Sequence, residues 1–391
     1  MRFRLCPTRE QETALLSHCG HARYVWNLGL EQRLCYRRES GPTPGWAEQC
    51  RQLTEARAAE PWLAEGPQGV QQQALRDLDQ GWRNFFGGTH DRPTWRKKGQ
   101  HEGFRVVGKD VRTRVLSRKW VEVNVPKLGW VRFRQSRTGW QDAKSYRVTR
   151  DRQGRWHVAF AMIPDPIEAP GNCEVVGIDR GVTVGAALST GEMLNAPGLR
   201  PNERERLLRL QRRLPRAKRG SKRRGILKRQ IARIKAREAD RRKDWAEQTS
   251  TDIARRFDLI RVEQLNIKGM TKSAKGSIEQ PGKNVRQKAG LNRGILGNCW
   301  GILVKRLEDK APYRVEKVRA AYTSQTCSAC GYCASENRES QAVFRCGSCG
   351  YAGNADVNAA INIAAGHAVT ARGDSGLPGS MNREPQHASV A

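Results

Sequence analysis

The chain of 391 residues carries 71 lysines and arginines against 39 acidic residues, a formal net charge of +32. Its mean hydropathy of −0.73 and the lack of a long apolar run exclude a membrane-spanning protein, and 11 tryptophans exclude a disordered basic tail. The length suits two or three domains. An excess of positive charge this large needs a polyanionic partner, and nucleic acid is the expected one. We expect no secretion, and so a cytoplasmic protein, because the N-terminus lacks an apolar signal segment.

The first part of the chain predicts helices followed by antiparallel strands. A short strand is expected at 2–5, and from 10 to 90 apolar residues recur at helical spacing. From about 100 to 165 apolar and polar residues alternate, with glycines between the alternating segments. Those segments are 121–125, 130–134 and 156–161. The pattern predicts an antiparallel β domain, with a barrel as its expected form.

The segment 200–244 is strongly basic, with 20 basic and five acidic side chains and no aromatic residue. A thin apolar stripe predicts two helices with a break near Pro215 and Gly220. Solvated helical faces would be the ordinary alternative, but they would need interspersed acidic residues for pairing within the helix. The sequence therefore favours a helical hairpin that tracks phosphates.

Four of the 11 cysteines have the spacing of a zinc ribbon, C-x2-C followed by 15 residues and a second C-x2-C. They are Cys327, Cys330, Cys346 and Cys349. Each pair aims two thiolates at one point, and two pairs complete a tetrahedral site for one structural Zn²⁺. Cys333 has the same spacing from Cys330 and is an alternative ligand. The remaining cysteines are predicted to be free thiols.

Three acidic residues lie at the ends of predicted elements. Asp179 and Glu263 each end an apolar strand, and Asp356 opens a helix directly after the ribbon. Separately they could be a turn residue, a surface strand end and a helix N-cap. Together, carboxylates at one sheet edge can hold two Mg²⁺ about 4 Å apart, an arrangement that cleaves phosphodiesters.

These motifs resemble the TnpB proteins of insertion sequences, which are RNA-guided DNA endonucleases with a RuvC-type domain. The matching segments are 176–182, 261–270, the ribbon within 323–350, and 356–363. The order is the most specific feature, because the family also places its ribbon between the second and third acidic motifs. Miniature type V CRISPR effectors are closely similar, so the guide RNA could come from a transposon end or from a CRISPR array.

The resemblance implies an α+β multidomain fold. A β-barrel wedge domain with an inserted helical recognition lobe would be followed by a RuvC/RNase H-like α/β nuclease domain with an inserted zinc ribbon. The implied boundaries are 1–10 and 100–165 for the wedge domain, 11–99 for the lobe, 173–320 and 356–365 for the nuclease domain with its basic hairpin at 200–244, and 321–355 for the ribbon. The polar tail, 366–391, is predicted to be disordered.

By the same resemblance, the protein would be an RNA-guided DNA endonuclease in a prokaryotic cell, associated with the nucleoid. Its partners would be a guide RNA and a target double-stranded DNA beside a short flanking motif. Asp179, Glu263 and Asp356 would ligate the catalytic Mg²⁺ ions. Both a monomer and a dimer are compatible with the sequence.

One helix turn is the candidate for duplex readout, because glutamine can bond adenine and arginine can bond guanine bidentately. Its candidate residues are Gln72, Gln73 and Arg76. The alternative is an ordinary polar helix surface.

Two departures from the family pattern leave other functions open. Asn354 and Ala355 replace an Asp-Arg pair that many members carry, and Arg180 stands where an apolar residue is frequent. The first alternative is a nuclease-impaired, RNA-guided DNA-binding repressor. The second is a structural RNA-binding zinc-ribbon protein.

Overall fold

A computed structural model describes residues 1–35, 43–319 and 321–366. The chain divides into two compact units. The first comprises 1–164 and 205–236, and the second comprises 165–204 and the chain from 237 onward. The tail beyond Gly366, predicted to be disordered, lies outside the described residues. Across the described ranges, no helix is both long enough and apolar enough to cross a membrane.

A seven-stranded antiparallel sheet forms the core of the first unit. Its strands are β1 Arg2–Leu5, β2 Gly103–Val107, β3 Thr113–Ser117, β4 Trp120–Val125, β5 Gly129–Arg134, β6 Ser145–Arg150 and β7 Trp156–Phe160. The strand order is β2-β6-β7-β1-β5-β4-β3. Alternate residues are buried in β1, β2, β5 and β7, as the period of two predicts. Aromatic rings fill the sheet core, with Phe3, Phe133, Trp140 and Phe160 in mutual contact.

Within residues 1–35 and 43–100, four α-helices precede the longer strands of this sheet. They are α1 Arg9–Leu34, α2 Trp46–Ala59, α3 Pro61–Glu65 and α4 Gln68–Phe86. α1 begins with a capping box, in which Thr8 and Gln11 satisfy each other's backbone N–H groups. α4 packs against α1 and β2. The helices predicted from the apolar spacing over 10–90 are therefore present. Val70, Leu75 and Leu78 lie on the buried face of α4.

Two helices occupy the basic segment, α5 Pro201–Arg216 and α6 Lys222–Arg256. Pro215 lies inside the last turn of α5, so the break comes after it, where Gly220 takes a positive φ of 83°. Arg224 Nη1 donates to the carbonyls of Leu214 and Ala217 at 2.7 and 3.0 Å, which satisfies the end of α5.

A five-stranded sheet organises the second unit. Its strands are β8 Val175–Asp179, β9 Ala186–Leu188, β10 Met193–Leu194, β11 Leu259–Glu263 and β12 Val315–Val318. The order is β10-β9-β8-β11-β12, with β8, β11 and β12 parallel. Its helices are the C-terminal half of α6, then α7 Ile267–Met270, α8 Val285–Gly297, α9 Trp300–Lys310 and α10 Ala355–Ala365. Ile253, Ile260 and Leu307 are fully buried in this core.

α10 crosses β8 at very short range. A Cβ atom on Gly177 would lie 2.0 Å from the Ala360 carbonyl oxygen and 2.4 Å from the Ala364 nitrogen, so only glycine fits there. The same helix holds the cysteine-rich segment, because Asn358 and Asn362 each donate to the Thr326 carbonyl at 2.8 Å. The helix thereby fixes the carboxyl end of β8 relative to that segment.

The cysteine-rich segment has a two-stranded hairpin of its own, β13 Val343–Arg345 and β14 Ala352–Asn354. Its small core consists of Cys327, Phe344, Cys346 and Ala355, with Tyr351 packed against it. A core this small is marginal without a further constraint such as a bound metal.

Candidate functional site

The four ribbon cysteines converge on one point. Their Sγ atoms all lie within 4.8 Å of one another. Cys327 and Cys349 are 3.7 Å apart and Cys330 and Cys346 are 3.6 Å apart. Zn–S bonds of about 2.3 Å in a tetrahedron put sulfurs about 3.8 Å apart, so these four residues fit zinc. Cys333 is outside the group, which resolves the choice that the sequence left between ligands.

The backbone around the second cysteine pair favours thiolate. The N–H of Cys349 donates to Cys346 Sγ at 3.5 Å. Hydrogen bonds from Cys349 and Ser348 lower the pKa of Cys346 to about 7. Gly331 and Gly350 follow the two pairs with φ of 77° and 75°, as tight turns around a metal require.

Asp179 and Glu263 lie side by side at the carboxyl ends of adjacent parallel strands. Val262 of β11 pairs with Ile178 of β8, so the two acidic residues are the next in register. Glu263 is buried, at 9% exposure, and Asp179 is half-buried. Parallel pairing thus brings together two carboxylates that are far apart in the sequence.

Asp356 joins them from the start of α10. Its possible N-cap role is excluded, because the Asn354 side chain is the cap and accepts from the N–H groups of Asp356 and Val357 at 2.9 and 3.2 Å. The Asp356 carboxylate is therefore free of the capping role. Asn354, one of the departures from the family pattern, has a structural function in this chain.

Asp179 is repelled by Asp356 and repels Glu263 in a poorly hydrated place. Burial, followed by the charge of Asp356, raises the pKa of Asp179 to about 6. Burial, followed by the charge of Asp179, raises the pKa of Glu263 to about 8. Burial also raises the pKa of Asp356. Hard, clustered, destabilised oxygen donors fit divalent cations such as Mg²⁺.

Among the described residues, the cysteines are the one group of three or more potential ligands whose atoms all lie within 4.8 Å of one another.

Two arginines flank the carboxylates. Arg180 is 7% exposed and its guanidinium donates to the Glu263 carbonyl, so this departure from the family pattern places a buried cation beside Asp179 and Glu263. Arg338, from the ribbon, has Nη2 3.6 Å from Asp356 Oδ1. Arg338 was not predicted from the sequence, because no spacing relates a residue between the cysteine pairs to the carboxylate at the start of α10.

The predicted readout turn is only partly accessible. Gln73 is buried and Gln72 is half-buried. Arg76 is exposed, with its guanidinium 5.2 Å from the centre of the Trp46 ring. Arg76 is therefore the most accessible of the three predicted residues on this turn.

The basic hairpin forms a cavity of 580 Å³. Its lining residues are Arg206, Arg209, Leu210, Arg212, Arg213 and Gln230. None of these four arginines takes part in an ion pair with another described residue, and all four are exposed. Unpaired guanidinium groups around a cavity suit phosphate oxygens.

Comparison with known proteins places these features in a family. Sequence profiles described as "Helix-turn-helix domain", "Probable transposase" and "Cas12f1-like, TNB domain" match residues 1–41, 146–274 and 300–363. The chain is 35% identical to the "Putative RNA-guided DNA endonuclease InsQ" of Escherichia coli K12, over 98% of this chain and 96% of that protein. It is 30% identical to a "Putative RNA-guided DNA endonuclease" of Streptomyces pristinaespiralis, over 100% and 96% of the two chains.

Two further similarities concern Cas12f1. A stretch of 56 residues, 14% of this chain and 13% of that protein, is 54% identical to the endodeoxyribonuclease Cas12f1 of Sulfoacidibacillus thermotolerans. A solved Cas12f1–sgRNA–target DNA complex has the same fold, with a TM-score of 0.56 and 12% identity over 91% of this chain and 83% of that one. The full-length similarities confirm the predicted family: the chain belongs to the TnpB family of RNA-guided endonucleases.

Proposed function

We propose that this protein is an RNA-guided DNA endonuclease that cuts target DNA beside a short flanking motif. The observation that carries the proposal is the convergence of Asp179, Glu263 and Asp356 from β8, β11 and α10. The names of both full-length relatives support the same activity. Family membership favours a guide RNA from a transposon end, and a CRISPR array is the other source.

The three carboxylates would hold two Mg²⁺ ions, which when bound supply an activated water and stabilise the leaving 3′ oxygen. Arg338 lies within reach of Asp356 and would contact a non-bridging oxygen of the scissile phosphate. Arg180 ties the carboxyl end of β11 to the segment after β8, which keeps Asp179 and Glu263 adjacent.

The rest of the chain would hold the nucleic acids. The antiparallel sheet of the first unit and its helices would be the wedge domain and recognition lobe, and the arginine-lined cavity of the basic hairpin would bind phosphates. The second unit would be the RuvC-like nuclease with its inserted zinc ribbon. A prokaryotic cytoplasm, at the nucleoid, would be the place of action.

The two alternative functions are less well supported. A nuclease-impaired repressor would tolerate loss of the acidic residues, yet all three are present and grouped. A structural RNA-binding ribbon protein would explain the cysteines and the charge, but similarity over the whole chain to proteins named as endonucleases would then be unexplained.

The test is to purify the protein from its native host, sequence any RNA that survives a high-salt wash, and offer the complex a DNA matching the RNA's variable end. We expect one discrete structured RNA and Mg²⁺-dependent cleavage. The origin of that RNA distinguishes a transposon from a CRISPR source. Binding without cleavage by the unaltered protein would favour the repressor, and heterogeneous RNA would favour the ribbon protein.

A further inference from the structure

The C-terminal turn of α4 exposes a group of aromatic rings, which we name the aromatic patch: Trp82, Phe85 and Phe86. Phe86 is 78% exposed and Phe85 37% exposed, whereas Trp82 is 8% exposed. The rings of Trp82 and Phe86 stack, with centroids 5.7 Å apart and planes 24° apart. Phe85 contacts both of the other rings, at 5.9 and 5.4 Å. A buried ring thus supports an exposed one.

The loop 87–100 holds positive charge beside this patch. It contains four cations, Arg92, Arg96, Lys97 and Lys98, against one carboxylate, Asp91. The Arg92 guanidinium lies 5.4 Å from the centre of the Trp82 ring. The patch and the loop therefore combine apolar ring faces with cations, and none of these rings is needed by the carboxylate centre.

The loop is fastened in place. Trp26 Nε1 donates to the Thr94 carbonyl at 3.0 Å, and Asn27 exchanges two hydrogen bonds with the backbone of Arg96, at 2.8 and 3.0 Å. Pro93 packs on Gly81, where an added Cβ would lie 3.3 Å from Pro93 Cγ. The Arg96 guanidinium packs on the Trp26 ring, 3.7 Å from its centre, so Arg92 is the cation held beside the aromatic patch, without a large ordering cost on binding.

We infer that the aromatic patch is a stacking platform for an unpaired nucleobase, with Arg92 of loop 87–100 contacting an adjacent phosphate. The inference rests on the proposed function and adds a base-binding site to it. An exposed ring supported by a second ring, next to unpaired positive charge, is the combination by which proteins bind single strands without reading sequence. The positive surroundings favour a polyanion such as a nucleic acid over a neutral or basic protein partner.

The stacked base could belong to the guide RNA or to unwound DNA. Crosslinking with an RNA and a DNA oligonucleotide distinguishes between these two sources. Oligouridine and oligothymidine carrying 5-iodouracil are irradiated with the full-length protein, and the crosslinked peptide is identified by mass spectrometry. We expect the crosslink at Phe85 or Phe86, and the oligonucleotide that crosslinks more strongly identifies the source. Crosslinks confined to other parts of the chain would overturn the inference.

A second test of the stacking platform measures the oligonucleotide affinity of variants. Phe86→Ser should weaken oligonucleotide binding about 5- to 150-fold, since one stacked base contributes about 1–3 kcal/mol. Phe86→Trp should keep the affinity. Tyr313→Ser is the matched control, because Tyr313 is a fully exposed ring outside the patch. Equal affinity of Phe86→Ser and the unaltered protein would contradict the platform.

A second copy of this chain is the other possible occupant of the patch, and light scattering tests for it by measuring the oligomeric state. If the protein is a dimer that Phe86→Ser dissociates without changing oligonucleotide affinity, the patch is a self-association surface and the inference is wrong. Asp179→Asn should lose most of its cleavage activity and still crosslink at the patch. Failure of the endonuclease proposal therefore leaves the platform testable, and failure of the platform leaves cleavage intact.

Discussion

The cysteine centre and the carboxylate centre of the second unit are assembled in opposite ways. The four cysteines come from a single short segment with its own hairpin and core. The carboxylates come from β8, β11 and α10, and they meet because two strands pair in parallel and α10 packs on Gly177. One centre is encoded by local spacing, while the other depends on the fold of the whole unit.

The two centres nevertheless share α10. Asn358 and Asn362 bind the ribbon backbone, and Asp356 lies at the start of the same helix. Damage to the ribbon should therefore reach the carboxylates, whereas damage to the carboxylates should leave the ribbon intact. This asymmetry can be tested.

Asp179→Asn should give the largest effect on cleavage. It removes one charged metal ligand while preserving shape, and we expect the cleavage rate to fall at least about 10²- to 10³-fold, because metal-borne charge stabilisation amounts to several kcal/mol. Zinc content and RNA binding should not change. Asp309→Asn, on the surface of α9, is the control. Cleavage by Asp179→Asn at the unaltered rate would refute the assignment of the centre.

Cys346→Ser tests whether damage to the zinc ribbon impairs the carboxylate centre. Loss of a ligand should release zinc, destabilise the ribbon and, through α10, lower the cleavage rate about tenfold or more. Metal analysis and a cleavage assay on the same sample would measure both. Cys333→Ser, which alters a cysteine outside the group, should retain zinc and activity. Full cleavage by zinc-free protein would show that the two centres are independent.

Gly177→Ala addresses the contact that joins α10 to β8. The new methyl group would collide with the Ala360 carbonyl, and overpacking of this kind costs about 1–3 kcal/mol of unfolding free energy. We expect lower thermal stability together with a lower cleavage rate. Gly290→Ala, in an open position on α8, is the matched control and should be neutral or slightly stabilising. A wild-type melting temperature for Gly177→Ala would contradict the close packing.

The smallest predicted effect is on stability and comes from His157 in the first unit. It would identify a pH dependence of unfolding that belongs to neither centre of the second unit. Burial, followed by the charge of Arg2, lowers the pKa of His157 to about 4. The folded state thus favours the neutral ring. Stability from this residue is present above pH 6.5 and is lost as the pH falls from about 6.5 towards 4.

We expect that loss to be about 1–2 kcal/mol, because solvent partly screens the ring. His157→Gln should flatten this part of the stability profile in urea unfolding at several pH values. An unchanged profile would show that the histidine does not sense acid.

The sequence predicted the meeting of the four ribbon cysteines, because C-x2-C spacing places two thiolates at one point, although it left Cys333 open as an alternative ligand. It also predicted the helices of 10–90 and the alternating strands, since their periods of about 3.6 and 2 are local properties. The grouping of Asp179, Glu263 and Asp356 needed the order of the family's motifs, because strand pairing is not written in any one segment. Arg338 and the burial of Gln73 could not be predicted, because both depend on contacts made only after the chain folds.

Guide exchange tests the central claim most directly. The variable end of the bound RNA is replaced by a new sequence, and cleavage of two plasmids, matching the old and the new sequence beside the same flanking motif, is compared. The account predicts that cutting moves to the new target and that Asp179→Asn cuts neither plasmid. Cutting that ignores the RNA sequence, or that persists in Asp179→Asn, would contradict it.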